Sequence, residues 1–406
     1  MLTRNVIFLL SGRVIDFDSY LPIGMELKLL RPDWDIHFVT FSPENFKFIL
    51  RNPTLMSGLE KCGELHFMGA TGKGLDRWIG RFGALFGLLC LIATRSGSVL
   101  LHGRHYSEGV YRLLYLVNRL RGGQSYILPR SRLVDQGMHN VFRERFQARR
   151  ESAWPFARLL NGWADGLLYY HDQQPIYLQG MLAYGPMRYL PRLRLGLPNL
   201  TSAWQSHIAE EVARTRNEMA AEGLDSDNIY TVIATKTFAS TQLRAGDSVV
   251  VTFEQILRAL RRLCPASTIL VRPHPLAVDE PYLHETLTRL DDAKISVTFL
   301  HPELLEALSK RVIINAPTNL IYTSLDGRFI DCTDYREEDL AKHGNESFGA
   351  GYGTVYVNPN EQHFDKRLAL ALDDSDVQPA ASNIEKRRSL IANNPASVEA
   401  LLTWLN

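Results

Sequence analysis

The sequence predicts two α/β domains, each a doubly wound, mostly parallel sheet with helices on both faces, opposed across one cleft. Three observations predict this fold. The chain has 406 residues, too many for one typical compact domain and suited to two. Strand-like and helix-like segments alternate along both halves. A stretch holding Gly180, Gly185, Pro186, Pro191, Gly196 and Pro198 separates the halves. The expected boundaries are 1–195 for the first domain, 196–390 for the second and 391–406 for a C-terminal helix that packs back on the first.

The elements follow in order. Val6 to Leu10 is a continuous apolar run, as expected of a strand covered on both faces. A loop holding Gly12 and Pro22 is expected next, then a helical stretch from Met25 to Leu30. Ile36 to Thr40 reads as the second strand, Ser98 to His102 as another, and Ser107 to Leu120 as a helix. Ser125 to Leu128 is a further strand, followed by a long helical stretch to about Ala164, and Gly166 to Tyr170 closes the first series. A charged helix is expected over Ser202 to Glu222. In the second half, Tyr230 to Ala234, Thr268 to Val271, Ile295 to Phe299, Val312 to Ile314 and Arg328 to Asp331 read as strands. Phe253, Ile256, Leu257 and Leu260 recur at helical spacing, and Ser397 to Leu405 is a terminal helix.

Composition limits the function. An apolar fraction of 45% and a charged fraction of 22% are ordinary for a globular chain. A formal net charge of +1 argues against a chain built to coat nucleic acid. Cys62, Cys90, Cys264 and Cys332 form no close pair, which argues against a zinc site or a disulfide framework and suits the cytosol. The apolar start is too short for a signal peptide, and the longest apolar run, Phe82 to Ala93, falls short of the roughly 20 residues that a membrane span needs.

Chemistry is expected in the loops beyond the carboxyl ends of the strands. Val271-Arg272-Pro273-His274-Pro275 directly follows a strand. Its prolines fix the backbone around one histidine. Arginine donates two parallel hydrogen bonds to a phosphate or carboxylate, and histidine can donate to a phosphate oxygen. Prolines that merely end a strand, beside a capping histidine, explain the loop equally well. Asn315-Ala316-Pro317-Thr318-Asn319 follows another strand and opens a helix. A helix start offers free N–H groups and partial positive charge to a phosphate, although simple capping by Thr318 or Asn319 would also account for one such residue.

The Arg272-Pro273-His274-Pro275 loop and the Pro317-Thr318-Asn319 helix start together resemble the His-Pro and Ser/Thr motifs of bacterial capsule and lipopolysaccharide transferases. These include the polysialyltransferases and the Kdo transferases, which use CMP sugars, and the CDP-glycerol polymerases carry a similar loop. The resemblance covers residues 229–335 best, and Thr318-Asn319 stands where the family has a serine pair. It implies two Rossmann-like domains of the GT-B fold. It implies that His274, Thr318 and Asn319 hold the phosphate of a cytidine nucleotide, and Arg272, Pro275 and Pro317 are expected in the same nucleotide site. Tyr126 to Asn140 and the run Trp163 to Tyr170 resemble the end of a GT-B acceptor domain.

Glycosyl transfer needs a base or nucleophile at the acceptor. Glu108, in an acid-glycine pair similar to that of the polysialyltransferases, comes first and Asp135 second, with His274 assisting departure of the leaving group; solvated loop acids would look the same. Arg104, Arg130 and Arg132 are candidates to pair with a sugar carboxylate or acceptor, and ordinary surface arginines would look the same too. Asp16-Phe17-Asp18 is the nearest approach to a metal-binding Asp-x-Asp motif and stands in no convincing strand-end loop, so no metal or other cofactor is expected. Gly344 to Gly353 is glycine-rich but matches no phosphate-loop pattern, and Glu346 within it could reach a ribose. Lys73, Arg77, Arg81 and Arg95 flank an apolar, aromatic helix, which reads either as a core helix with charged ends or as a peripheral contact with the inner membrane.

The expected function is a metal-independent glycosyltransferase moving an acidic sugar, Kdo or another nonulosonate, from a CMP donor to a glycan or lipid-linked glycan. The alternatives are a CDP-glycerol or UDP- or GDP-hexose donor, and a non-catalytic protein that closes on a small ligand.

Overall fold

A computed structural model describes residues 4–10, 14–69, 75–94, 97–102, 109–128, 164–170, 190–234, 248–274, 278–315, 328–342, 354–373, 388–389, 391–393 and 395–405. The chain forms two compact units, one of residues 1–51, 55–207 and 394–406, the other of 52–54 and 208–393. Each is built on a wholly parallel sheet.

The first unit runs β1 (Asn5–Leu10), α1 (Val14–Leu30), β2 (Asp35–Thr40), α2 (Pro43–Arg51), α3 (Pro53–Cys62), β3 (Gly63–Phe67), α4 (Leu75–Ala93), β4 (Val99–His102), α5 (Gly109–Leu120), β5 (Gln124–Ile127), β6 (Gly166–Tyr169) and β7 (Arg192–Arg194). The strand order is β3-β2-β1-β4-β5-β6-β7. Every residue of β1 is buried, which is why its sequence shows no alternation. Its Ile7 and Leu9 pack with Val39, Leu100, Ile127 and Leu167 of the neighbouring strands and with Leu88 and Ile92 of α4.

Pro22 lies inside α1 and not in a loop. A proline removes one helical hydrogen bond, but Tyr20, Leu21, Ile23 and Leu27 around it are almost wholly buried, and packing of that face carries the helix through. Two short edge strands, β3 and β7, extend the sheet beyond the strands expected from the sequence. A 3₁₀ turn at Pro198–Leu200 leads into α6 (Ser202–Ala221).

The second unit runs β8 (Ile229–Ala234), α7 (Ser248–Leu263), β9 (Thr268–Pro273), α8 (Pro281–Leu290), β10 (Ile295–Val297), α9 (Pro302–Leu308), β11 (Arg311–Ile314), β12 (Phe329–Asp331), α10 (Glu337–Lys342), β13 (Val355–Tyr356) and α11 (Phe364–Leu372). Its order is β10-β9-β8-β11-β12-β13, so β12 is not the last strand. The face of α7 formed by Val249, Phe253, Ile256, Leu257 and Leu260 buries against Val232, Ile269, Val271, Ile313 and Ile330 of the sheet.

The C-terminal helix α12 (Val398–Leu405) packs on the first unit, as expected. Leu401 and Leu405 are buried, the Trp404 ring lies 6.0 Å from that of Tyr126, and Arg4 donates to the Leu405 carbonyl. No helix among the described residues is long and apolar enough to cross a membrane.

Candidate functional site

In both sheets the chain winds outward from a central strand to one edge and then crosses to the other side. The winding reverses between β1 and β4 in the first unit and between β8 and β11 in the second. At such a reversal the flanking loops leave in opposite directions and open a crevice at the carboxyl ends of the strands. The ends of β8, β9, β11 and β12 are therefore where side chains can meet a ligand of the second unit.

At the end of β9, Arg272 and Pro273 belong to the strand itself and His274 is the first residue beyond it. The His274 N–H donates to the Ala234 carbonyl at 2.6 Å, which ties the end of β9 to that of β8. The His274 side chain is half-buried. Arg272 is 4% exposed, and its Nε donates to the Leu300 carbonyl at 3.0 Å, so part of its guanidinium braces the segment after β10. That segment ends in His301, whose ring caps α9 by accepting from the Glu303 N–H at 3.3 Å.

At the end of β11, Asn315 is 1% exposed and its Nδ2 donates to the Val249 carbonyl at 3.1 Å. It thereby fixes the first turn of α7 against the strand end. Asn315 stands in the hydroxyl- and amide-rich run noticed in the sequence, but its contact lies 66 residues away.

At the end of β12 the carboxylate of buried Asp331 accepts from the Thr333 N–H at 3.0 Å, the Thr333 hydroxyl at 2.5 Å and the Tyr335 hydroxyl at 2.8 Å. Asp334 accepts from Asn360 Nδ2 at 2.5 Å. Burial, reinforced by the Asp331 charge, pushes the Tyr356 hydroxyl and the Cys332 thiol well up from their ordinary values. This corner is a closed polar network, and no sequence motif marks it.

In the first unit, β4 ends in buried His102, whose ring meets Tyr115 edge-on at 6.1 Å. The Tyr20 hydroxyl donates to the Leu128 carbonyl beyond β5 at 2.7 Å. Asp16 and Asp18 fall in the opening turns of α1, and Asp16 is fully buried. Burial, then the Asp16 charge, drives the Tyr170 hydroxyl well up, while a hydrogen bond with Ser19 opposes the shift. On α4, Ile79, Phe82 and Phe86 are 61%, 66% and 70% exposed, whereas Leu88 and Ile92 are buried.

Of the residues singled out in the sequence, Arg272 and His274 lie at the β9 end as expected. Glu108, Asp135, Arg104, Arg130, Arg132, Pro275, Pro317, Thr318, Asn319, Glu346 and the glycine-rich run lie outside the described residues. Lys73 and Arg95 do too, as do the side chains of Arg77 and Arg81.

No protein-family model matches the chain, and no curated protein matches its sequence. Solved structures do resemble it. TcCGT1 in complex with UDP aligns over 97% of this chain and 94% of its own, at TM-score 0.54 and 12% identity. A complex of S. aureus MnaA with UDP aligns over 99% and 95%, at TM-score 0.52 and 12% identity. A ugt transferase from Siraitia grosvenorii in complex with UDP aligns over 99% and 100%, at TM-score 0.50 and 10% identity. At such identities the likeness is one of fold, and the fold of this chain is that of the GT-B structures, with two parallel Rossmann-like sheets of seven and six strands.

Proposed function

We propose that the chain is a glycosyltransferase that takes its sugar from a UDP-linked donor. The observation that carries this reading is the near-complete alignment of both units with proteins that hold UDP. In this reading the second domain, residues 196–390, binds the nucleotide and the first, 1–195, the acceptor. His274 donates to a phosphate oxygen and eases departure of the nucleotide. Pro317, Thr318 and Asn319 present a helix start to the same phosphates, with Pro275 fixing the loop between. Arg272 acts partly by bracing the segment after β10, and Glu108, or else Asp135, takes the proton of the acceptor hydroxyl. The acceptor is a glycan or lipid-linked glycan. The exposed face of Ile79, Phe82 and Phe86 on α4 is the surface that would meet an inner-membrane leaflet.

A second reading keeps the mechanism and changes the donor to a CMP-linked acidic sugar. The Arg272-Pro273-His274-Pro275 loop favours it, and Arg104, Arg130 and Arg132 would then pair with the sugar carboxylate. Thermal melting with UDP, CMP, CDP and GDP tests both readings, because a ligand at 100 times its Kd stabilises the native state by about 2.7 kcal/mol. A rise with UDP that His274→Ala abolishes supports the first reading. A rise with CMP alone supports the second. No rise with any nucleotide overturns both and favours a non-catalytic protein that closes on another small ligand.

A further inference from the structure

We propose that His37, Glu64 and His66 form a binding site for a zinc-class divalent ion at the edge of the first sheet. His37 is on β2, and Glu64 and His66 are on the edge strand β3. The strands are parallel with His37 opposite Glu64 and Val39 opposite His66. Paired residues share a face, and so do residues two apart on one strand, so all three side chains rise from the same side of the sheet. Gly63 lets β3 seat closely on β2, because a Cβ there would lie 2.9 Å from the Ile36 carbonyl carbon.

The donor atoms converge. His37 Nδ1 lies 3.0 Å from His66 Nε2. Glu64 Oε2 lies 3.5 Å from His66 Nε2 and 3.9 Å from His37 Nδ1. In a tetrahedral zinc site, metal–ligand distances of about 2.0–2.1 Å put neighbouring donors about 3.3 Å apart. The three separations bracket that value, so an ion fits with small side-chain adjustments. The Glu64 side chain, 71% exposed, has room to make most of them.

The donor set selects the class of ion. Two imidazoles and one carboxylate suit zinc, nickel or copper, whereas magnesium and calcium require oxygen ligands. Without an ion, one ring must donate its proton to the other across the 3.0 Å contact. With an ion, both facing nitrogens are ligands and the protons sit on His37 Nε2 and His66 Nδ1, so each ring stays neutral. The ion clamps β3, which among the described residues pairs only with β2, to the rest of the sheet. The site involves no residue of the proposed nucleotide pocket and does not depend on that reading.

The test uses the full-length, untagged chain, freed of metal with a chelator and titrated with Zn²⁺ in a calorimeter. One ion per chain is expected, with a rise in Tm that Mg²⁺ does not give. Glu64→Gln, a change on an exposed side chain, and His66→Gln should each weaken binding at least about tenfold. With Co²⁺ the visible bands should be tetrahedral and lack sulfur-to-metal absorption. Unchanged affinity in both variants, absence of binding, or a sulfur band traced to exposed Cys90 would each overturn the proposal.

Discussion

The main-chain N–H of His274 donates to the Ala234 carbonyl at 2.6 Å, so this link between β9 and β8 survives any side chain at 274 except proline. Replacing the imidazole should therefore disturb chemistry more than folding. His274→Ala is expected to keep the Tm within about 2 °C of wild type, as for a substitution outside the core, while the nucleotide-dependent rise in Tm disappears. A large loss of stability, with the nucleotide effect intact, would make the imidazole structural.

Arg272 should behave in the opposite way. Its Nε braces the Leu300 carbonyl from a position 4% exposed. Arg272→Ala leaves that carbonyl without its donor, a loss of about 1–3 kcal/mol, which lowers the Tm by several degrees. The drop is expected without any ligand present, and circular dichroism melts of the two proteins measure it. Equal melting temperatures would show that the contact adds nothing to stability.

The contrast between these two residues shows what the sequence could reveal. Strands β9 and β11 are legible because each is an apolar run ended by a proline-bearing loop, β8 because it is an apolar run, and His274 because prolines flank it. Strand β3 is not, because Gly63-Glu64-Leu65-His66-Phe67 is a half-exposed edge with no continuous apolar run. The segment around Pro22 reads as a loop because proline usually breaks a helix, and only tertiary burial shows that α1 runs through it. The Asn315 bond to Val249 and the meeting of His37 with His66 join residues far apart in sequence. No local spacing encodes either, because β-α-β winding creates both.

Gly196 offers a sharper test of how the C-terminal segment is anchored. Its φ is +73°, a conformation that only glycine adopts freely. A Cβ there would collide with the Pro395 carbonyl and lie 2.8 Å from Ala396 Cα. The adjacent Ser397 N–H donates to the Leu195 carbonyl at 2.7 Å, so this is where the chain leading into α12 crosses. Gly196→Ala should cost at least about 2 kcal/mol, combining backbone strain with the clash. Denaturant titration reads the stability loss, and limited proteolysis should show earlier cleavage near residue 395. A neutral outcome would mean that the C-terminal segment does not lie against Gly196.

Alkaline pH should unfold the protein earlier than ordinary thiols and phenols would require. Burial pushes the Cys62 thiol up to about 12, with Lys28 opposing the shift. Burial also pushes the Tyr126 hydroxyl up to about 12, aided by Asp165 and opposed by Arg4. The folded state thus holds protons that the unfolded chain releases near its ordinary values of about 8.5 for a thiol and 10 for a phenol. The stabilisation is complete below about pH 8.5 and is lost as the pH rises toward 12, on the order of 5 kcal/mol for Cys62 alone. Urea midpoints should fall steadily from pH 8.5 to 11, and Cys62→Ala should flatten the onset. Thiol labelling supplies an independent check at pH 8, where a group titrating near 12 is thiolate in about one molecule in ten thousand. Exposed Cys90 should react first, with Cys62 and Cys332 silent until the chain unfolds. Labelling of Cys62 at the rate of Cys90 would show that it is not buried, and the alkaline loss would then need another origin.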